Sequence, residues 1–218
     1  MIITIDGPAG AGKSSAAKAL AKRLGFQFLD TGAMYRALTW SVINNQVDVH
    51  DQRAIAALAA KLSIDFDGTT VTVDGNDVTA AIRTPEVTKL VSDVADNSEV
   101  REHLVMLQRE IAEGGNYVCE GRDQGTVVFP DAECKIFLTA TSDERAKRRY
   151  KQILADGKHV EYQVILLDQE NRDQRDSDRP IGRLLKAKDA IELNSDGLTL
   201  EQVVDKIEEA YRSKIASC

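Results

Sequence analysis

Apolar residues are arranged along this chain in two alternating rhythms. Short runs rich in β-formers, Ile2–Ile5, Gln27–Asp30, Asn116–Cys119, Lys135–Thr139 and Ala190–Leu193, are separated by stretches whose apolar positions recur every three or four residues. Runs of this length read as buried strands, and the longer period reads as amphipathic helix. Ala17, Leu20, Ala21 and Leu24 mark a helix over 14–24, and Thr31-Gly32 turns into another carrying Tyr35, Arg36 and Trp40. Strands separated by helices predict a five-stranded parallel sheet covered on both faces, an α/β three-layer sandwich with ligands at the carboxyl ends of its strands.

The rhythm changes between residues 36 and 113. Ser63–Phe66 and Thr70–Val73, punctuated by Asp67-Gly68 and Asp74-Gly75, predict a hairpin set among helices, a β-rich insert near 63–77. Thr84-Pro85 predicts an N-cap with proline at the first helical position, followed by an apolar face of Val87, Leu90, Val91 and Val94. Asp96-Asn97-Ser98 predicts a break. A second helix then carries Val100, Leu104, Leu107 and Ile111 and stops at Gly114-Gly115. Further on, Thr141 and Glu144 match a capping box opening a basic helix, and the polar stretch 143–183 is expected to be mobile. Thr199 and Gln202 match another, ahead of Val203, Val204, Ile207 and Tyr211. The expected division is a core of 1–35, 114–142 and 184–218, an inserted domain of 36–113, and a helical segment of 143–183.

Composition narrows the function. At 218 residues and 43% hydrophobic content the chain can bury a real core, and a net charge of −7 argues against binding a nucleic-acid polymer through its phosphates. With no apolar run near the length of a membrane span, no membrane partner is expected. Cys119, Cys134 and Cys218 lack metal-ligand spacing and fit a reducing, cytoplasmic setting, the first two as small buried hydrophobes. Because the chain runs straight into strand and P-loop from Ile2, no signal or transit peptide is expected. His50, His103 and His159 are scattered and form no ligand set.

The chemistry begins directly behind the first strand. Gly7–Ser14, GPAGAGKS, fits the pattern G-x-x-x-x-G-K-[ST] without mismatch. Gly7, Gly10 and Gly12 let the backbone curl with its N–H groups inward around phosphate, and the following helix N-terminus adds positive potential. Gly7, Gly10, Ala11, Gly12, Lys13, Ser14 and Ser15 are therefore the expected ATP-binding residues, with Lys13 reaching the β- and γ-phosphates and the Ser14 hydroxyl on Mg²⁺.

Arginines gather after the predicted core strands: Arg36, Arg122, the set Arg145, Arg148 and Arg149, and the stretch Arg172–Arg179. Their planar forks suit phosphate, and four such segments suit two phosphorylated ligands. Equally telling, no candidate base of the H-R-D kinase type or of the protease type lies near the P-loop. A phosphate acceptor explains this, because a monophosphate with a second pKa of about 6 is already an ionised nucleophile at neutral pH.

At this point the chain resembles the bacterial-type cytidylate kinase family of P-loop nucleoside monophosphate kinases. The resemblance rests on ITIDGPAGAGKS (Ile3–Ser14), LDTGAMYR (Leu29–Arg36), IRTPEV (Ile82–Val87), GRDQGTVVFPDA (Gly121–Ala132), IFL (Ile136–Leu138) and RDQRDSDR (Arg172–Arg179), spanning nearly the whole chain. It implies transfer of phosphate from ATP, with Mg²⁺, to CMP or dCMP, with an inserted monophosphate-binding domain and a lid, and the protein is expected to be a monomer. By position it places Arg36 and Arg122 on the CMP phosphate with Thr31 and Tyr35 nearby. Ser92, Arg101 and Asp123 read cytosine, and Asp176 and Arg179 hold the sugar. Lys13, Arg122, Arg145 and Arg149 act on the transferring group, the latter two from the lid. A carboxylate such as Asp123 suits the cytosine amino group, and Arg101 suits N3 and O2.

Ser92 and Arg101, nine residues apart, would face opposite sides of one continuous helix, so the base assignment requires the predicted break at 96–98. Three places depart from the family pattern: Gln124, Pro180–Arg183 and Asn194–Asp196. The other readings of the chain are a P-loop kinase for UMP, AMP or a metabolite alcohol, or a nucleotide-binding switch without phosphotransfer.

Overall fold

The computed structural model describes residues 1–67, 69–155 and 157–216, so the glycine of the Asp67-Gly68 turn and the expectation for Cys218 lie outside the described residues. The chain divides into two compact units, Met1–Phe28 with the chain from Asn116 onward, and Leu29–Gly115.

In the first unit β1 (Ile2–Asp6), β6 (Tyr117–Glu120), β7 (Cys134–Thr139) and β8 (Ile191–Asn194) form a sheet, with β2 (Gln27–Asp30) at its edge in the order β2-β6-β1-β7-β8. β1 runs parallel to both β6 and β7, and β7 parallel to β8. Register sorts the side chains onto two faces. Ile3 and Ile5, with Val118, Ile136 and Leu138, pack under α1 (Lys13–Leu24) and α8 (Leu200–Ile215) through Ala16, Ala17, Leu20, Val203, Val204 and Ile207. On the opposite face Thr4 lies level with Cys119 and Lys135, all buried, and there the loop after β6 is seated. Both cysteines are buried as expected, and burial pushes the Cys134 thiol up to about 11. α6 (Ser142–Ala155) and α7 (Tyr162–Asp178) complete this unit, Tyr150 and Tyr162 meeting edge to face at 5.9 Å.

The second unit consists of α2 (Thr31–Asn44), α3 (Gln52–Ala59), a small antiparallel sheet of β3 (Ile64–Phe66), β4 (Val71–Val73) and β5 (Asn76–Asp77), a 3-10 turn at Ala81–Arg83, then α4 (Pro85–Ala95) and α5 (Ser98–Ala112). Leu38, Val42, Ile55, Val73, Ile82, Val94, Val100 and Leu104 form its core. Trp40 lies half-buried against that core. The predicted hairpin gains a third strand, because the Asp74-Gly75 turn, with both residues at positive φ, sends Asn76–Asp77 back along β4. Helix α3 was not among the sequence expectations, its eight residues being too short for a firm period.

Two local expectations differ from the structure. The division falls after residues 28 and 115, because Thr31–Tyr35 are the first turns of α2, which packs on α4. The Thr141 box forms only by half: the Thr141 hydroxyl accepts the Glu144 N–H at 3.3 Å, but the Thr141 N–H donates to Asp196 at 3.0 Å and Glu144 turns to Arg148. The Thr199–Gln202 box forms completely.

Candidate phosphate-binding and acceptor site

The P-loop follows from close packing at the end of β1. A side chain at Gly7 would place its Cβ 2.0 Å from the Leu138 carbonyl oxygen, so only glycine lets β1 pass β7 there, and Gly10 and Gly12 take left-handed φ values of 81° and 92°. Gly12 is the N-cap of α1 and no side chain caps it, which leaves the helix entrance to the loop. Lys13 is buried, and its Nζ donates to the Pro8 carbonyl at 2.8 Å. Burial and then the charge of Arg122 pull the ammonium down, against the opposing pull of Glu120, to about 7. Ala11 is buried while Ser14 and Ser15 are exposed. The Ser14 hydroxyl donates to the buried Glu120 carboxylate at 2.5 Å.

Helix α6 grips the back of this loop. Arg145 donates through Nη1 to the Ala9 carbonyl at 2.9 Å and through Nε to that of Ala140 at 3.0 Å, and it pairs with Asp173 of α7 at 2.6 Å. Arg148, one turn on, reaches the Ala11 carbonyl at 3.4 Å and both the hydroxyl and carbonyl oxygens of Ser195 at 3.1 and 2.7 Å. Arg149 is exposed and bonds Gln152. Thus Arg145 and Arg148 attend the P-loop backbone, whereas Arg149 lies on the outer side of α6.

The loop after β6 holds the next set. Arg122 donates through Nε to Asp176 at 2.9 Å, and the other oxygen of Asp176 receives Arg179 at 2.9 Å. Asp123 and Gln124 are buried, and a π-helical turn, Gln124–Val128, follows. Asp6, at the end of β1, accepts the backbone N–H groups of Gln124 and Gly125 at 2.9 and 2.7 Å.

In the second unit Asp30 caps α2 by accepting the Ala33 N–H at 2.9 Å, which sets Thr31 in a buried first turn. Arg36, further along α2, donates to Thr88 of α4 at 2.8 Å and to the Ile82 carbonyl at 3.3 Å. The break between α4 and α5 is present where the sequence predicted it. Asn97 makes it, its side-chain oxygen accepting the N–H groups of Glu99 and Val100 at 3.0 and 3.3 Å. Arg101 reaches back across the break to the Ala95 carbonyl at 3.1 Å, with its guanidinium 5.3 Å from the centroid of the Tyr35 ring. Ser92 is half-buried on α4.

Three contributors escaped the sequence expectations: Glu120, Asp6 and Ser195. Glu120 had a legible signal, a carboxylate ending an apolar strand immediately before Gly-Arg-Asp. Asp6 and Ser195 had none, because both act on backbone groups distant in sequence. Among the described residues no three of His, Cys, Asp and Glu gather to hold a metal ion, and no helix is long and apolar enough to cross a membrane.

A parallel sheet whose central strand feeds a glycine-rich loop, a buried lysine and an uncapped helix defines a P-loop nucleotide-binding protein of the kinase type. Residues 3–213 match the family model described as cytidylate kinase, and the chain belongs to that family. It is 49% identical over 210 residues to a cytidylate kinase of Caldanaerobacter subterraneus, covering 96% of this chain and 94% of that one. It is likewise 49% identical over 222 residues to a bifunctional pantoate ligase/cytidylate kinase of Synechococcus elongatus, covering 98% of this chain and 42% of that longer protein. Among solved structures, an uncharacterized protein of Eubacterium ventriosum shares the fold at a TM-score of 0.53 and 15% identity, over 98% of this chain and 99% of its own.

Proposed function

We propose that the protein transfers the γ-phosphoryl group of ATP to CMP or dCMP, forming CDP or dCDP. The observation that carries this reading is the extent of the family match, which takes in the P-loop, the Gly121–Ala132 loop and the Arg172–Arg179 segment together.

Gly7–Ser15 take the ATP phosphates, with Lys13 leaving the Pro8 carbonyl for the β- and γ-oxygens. Mg²⁺ fits the donors present: the Ser14 hydroxyl and the adjacent Glu120 carboxylate are hard oxygens, and this ion asks for few protein ligands beside substrate phosphate. When bound, it neutralises charge on the phosphates. Arg36 and Arg122 take the acceptor phosphate, Thr31 and Tyr35 assist, Ser92, Arg101 and Asp123 read the base, and Asp176 and Arg179 hold the sugar. Segment 143–183 acts as the lid that brings Arg145 and Arg149 to the transferring group and keeps water away. We place the protein in the cytoplasm as a monomer.

The test is a coupled assay of ADP formation with CMP, dCMP, UMP and AMP at equal concentration. CMP and dCMP are expected to lead, and absence of CMP-dependent ADP formation overturns the reading. For the lid, hydrogen exchange across 143–183 should slow with a bisubstrate analogue, and unchanged exchange overturns closure.

A further inference from the structure

The P-loop strand and the Gly121–Ala132 loop meet at one buried side chain. Asp6 is the residue before Gly7, it is 4% exposed, and each of its carboxylate oxygens accepts one backbone N–H, from Gln124 and from Gly125. Those two N–H groups open the π-helical turn. Further along it, the Asp123 carbonyl accepts the N–H groups of Val127 and Val128, and the Gln124 carbonyl accepts that of Phe129. The first donors of a helical turn need acceptors from outside it, and an ionised carboxylate presents two with no donor of its own.

The seat around them has no slack. A Cβ on Gly125 would come within 2.9 Å of the Thr4 hydroxyl and 3.2 Å of the Lys135 side chain, and Lys135 itself bonds the Pro130 carbonyl later in the same loop. The peptide units held by Asp6 join Asp123 to Gln124 and Gln124 to Gly125, directly behind the Arg122-Asp123 pair. Any displacement of Gln124 moves both.

We infer that Asp6 is a positioning residue for the acceptor nucleotide: by holding the Gln124 and Gly125 N–H groups it fixes Arg122 and Asp123 relative to the strand that carries the P-loop. The inference rests on the proposed phosphoryl transfer to CMP and adds a residue to it. It explains why a carboxylate is buried at this point with both oxygens given to backbone N–H groups. Asparagine is the informative replacement, since it keeps the shape but turns one acceptor into a donor facing an N–H.

The experiment combines amide hydrogen exchange at Gln124 and Gly125 with steady-state kinetics on the whole protein and its Asp6→Asn variant. Expected are exchange faster by about tenfold or more at those two amides and a KM for CMP raised by about tenfold or more. The KM for ATP should stay within about threefold. Unchanged exchange, an unchanged KM for CMP, or an equal rise in both KM values overturns the inference. Should the variant not fold, wild-type exchange decides, because near-free rates at Gln124 and Gly125 also overturn it. Failure of the wild type to use CMP defeats the proposed function instead, and the exchange result then rules alone on whether Asp6 holds the loop.

Discussion

Asp176 stands between Arg122 and Arg179 with one carboxylate oxygen 2.9 Å from each. Burial works against its charge, but Arg122 and Arg179 outweigh it and hold the carboxyl below the ordinary 3.8. Burial likewise opposes the Arg122 charge, and Asp176 overcomes it. The residue proposed to hold the sugar is thereby also the counter-charge of one proposed to hold the acceptor phosphate, so acceptor binding and local stability are expected to share a side chain.

Asp176→Ala should therefore cost on the order of 3–5 kcal/mol, the range for breaking a buried ion pair by removing one partner. Denaturant unfolding at neutral pH checks it. A lowered folded-state pKa places this stabilisation above the ordinary aspartate value, and it is lost as pH falls through the lowered one. The deficit of the variant should accordingly shrink below pH 3.8.

Base selection is tested at Asp123. A carboxylate accepts from the cytosine amino group, and an amide at the same place can instead donate to the carbonyl that uracil carries there. Asp123→Asn should lower kcat/KM for CMP by about ten- to a hundredfold while UMP changes far less, a loss of about 1.4–2.8 kcal/mol in discrimination. Competition between the two acceptors in one reaction measures the ratio directly. Retention of the CMP preference removes Asp123 from the base site.

How far the sequence foretold this arrangement depends on the range over which each signal acts. Local signals were legible: the Gly7–Ser14 loop, the Thr84 and Thr199 caps, and the Asn97 break, which a polar triplet between two apolar periods announces. Contacts between distant segments were not. Nothing near Asp6 foretells bonds to residues 118 and 119 positions away, and nothing near Ser195 foretells its bond to Ala11. The half-formed box at Thr141 failed for the same reason. Asp196, far along the chain, offered the Thr141 N–H a carboxylate before Glu144 did.

The three arginines of α6 should separate cleanly. Arg145 is 3% exposed and its bonds join the P-loop, the end of β7 and α7, so Arg145→Ala should lower both the melting temperature and kcat. Its partner Asp173 is only half-buried, so the stability cost is that of the lost charge-assisted hydrogen bonds, about 1–3 kcal/mol. Arg149 is exposed and bonds its helix neighbour Gln152. Arg149→Ala should leave stability within about 0.5 kcal/mol. As a proposed lid residue it should still lower kcat at saturating ATP and CMP, by about tenfold or more. An Arg149→Ala enzyme with full kcat removes it from the lid role and leaves Arg148, bonded to Ala11 and Ser195, as its replacement.

Asp6 gives a prediction whose sign runs against intuition for a hydrogen-bonded carboxylate. Burial raises its pKa to about 6, helped by Asp123, while the Gly125 and Gln124 N–H groups and Lys13 pull the other way without cancelling it. A raised folded-state value means that the native protein binds the extra proton more tightly than the unfolded chain. The associated stability is complete below about 3.8 and is lost as pH rises through 6. Unfolding free energies of wild type minus Asp6→Asn, compared from pH 4 to 7, should therefore fall with rising pH by a total on the order of 3 kcal/mol. A difference that grows with pH means that the two N–H bonds outweigh burial and that the carboxylate stabilises the fold in its own right. With the expected sign, the protein keeps Asp6 charged at neutral pH at the expense of stability. That is the behaviour of a group retained for where it holds the acceptor loop.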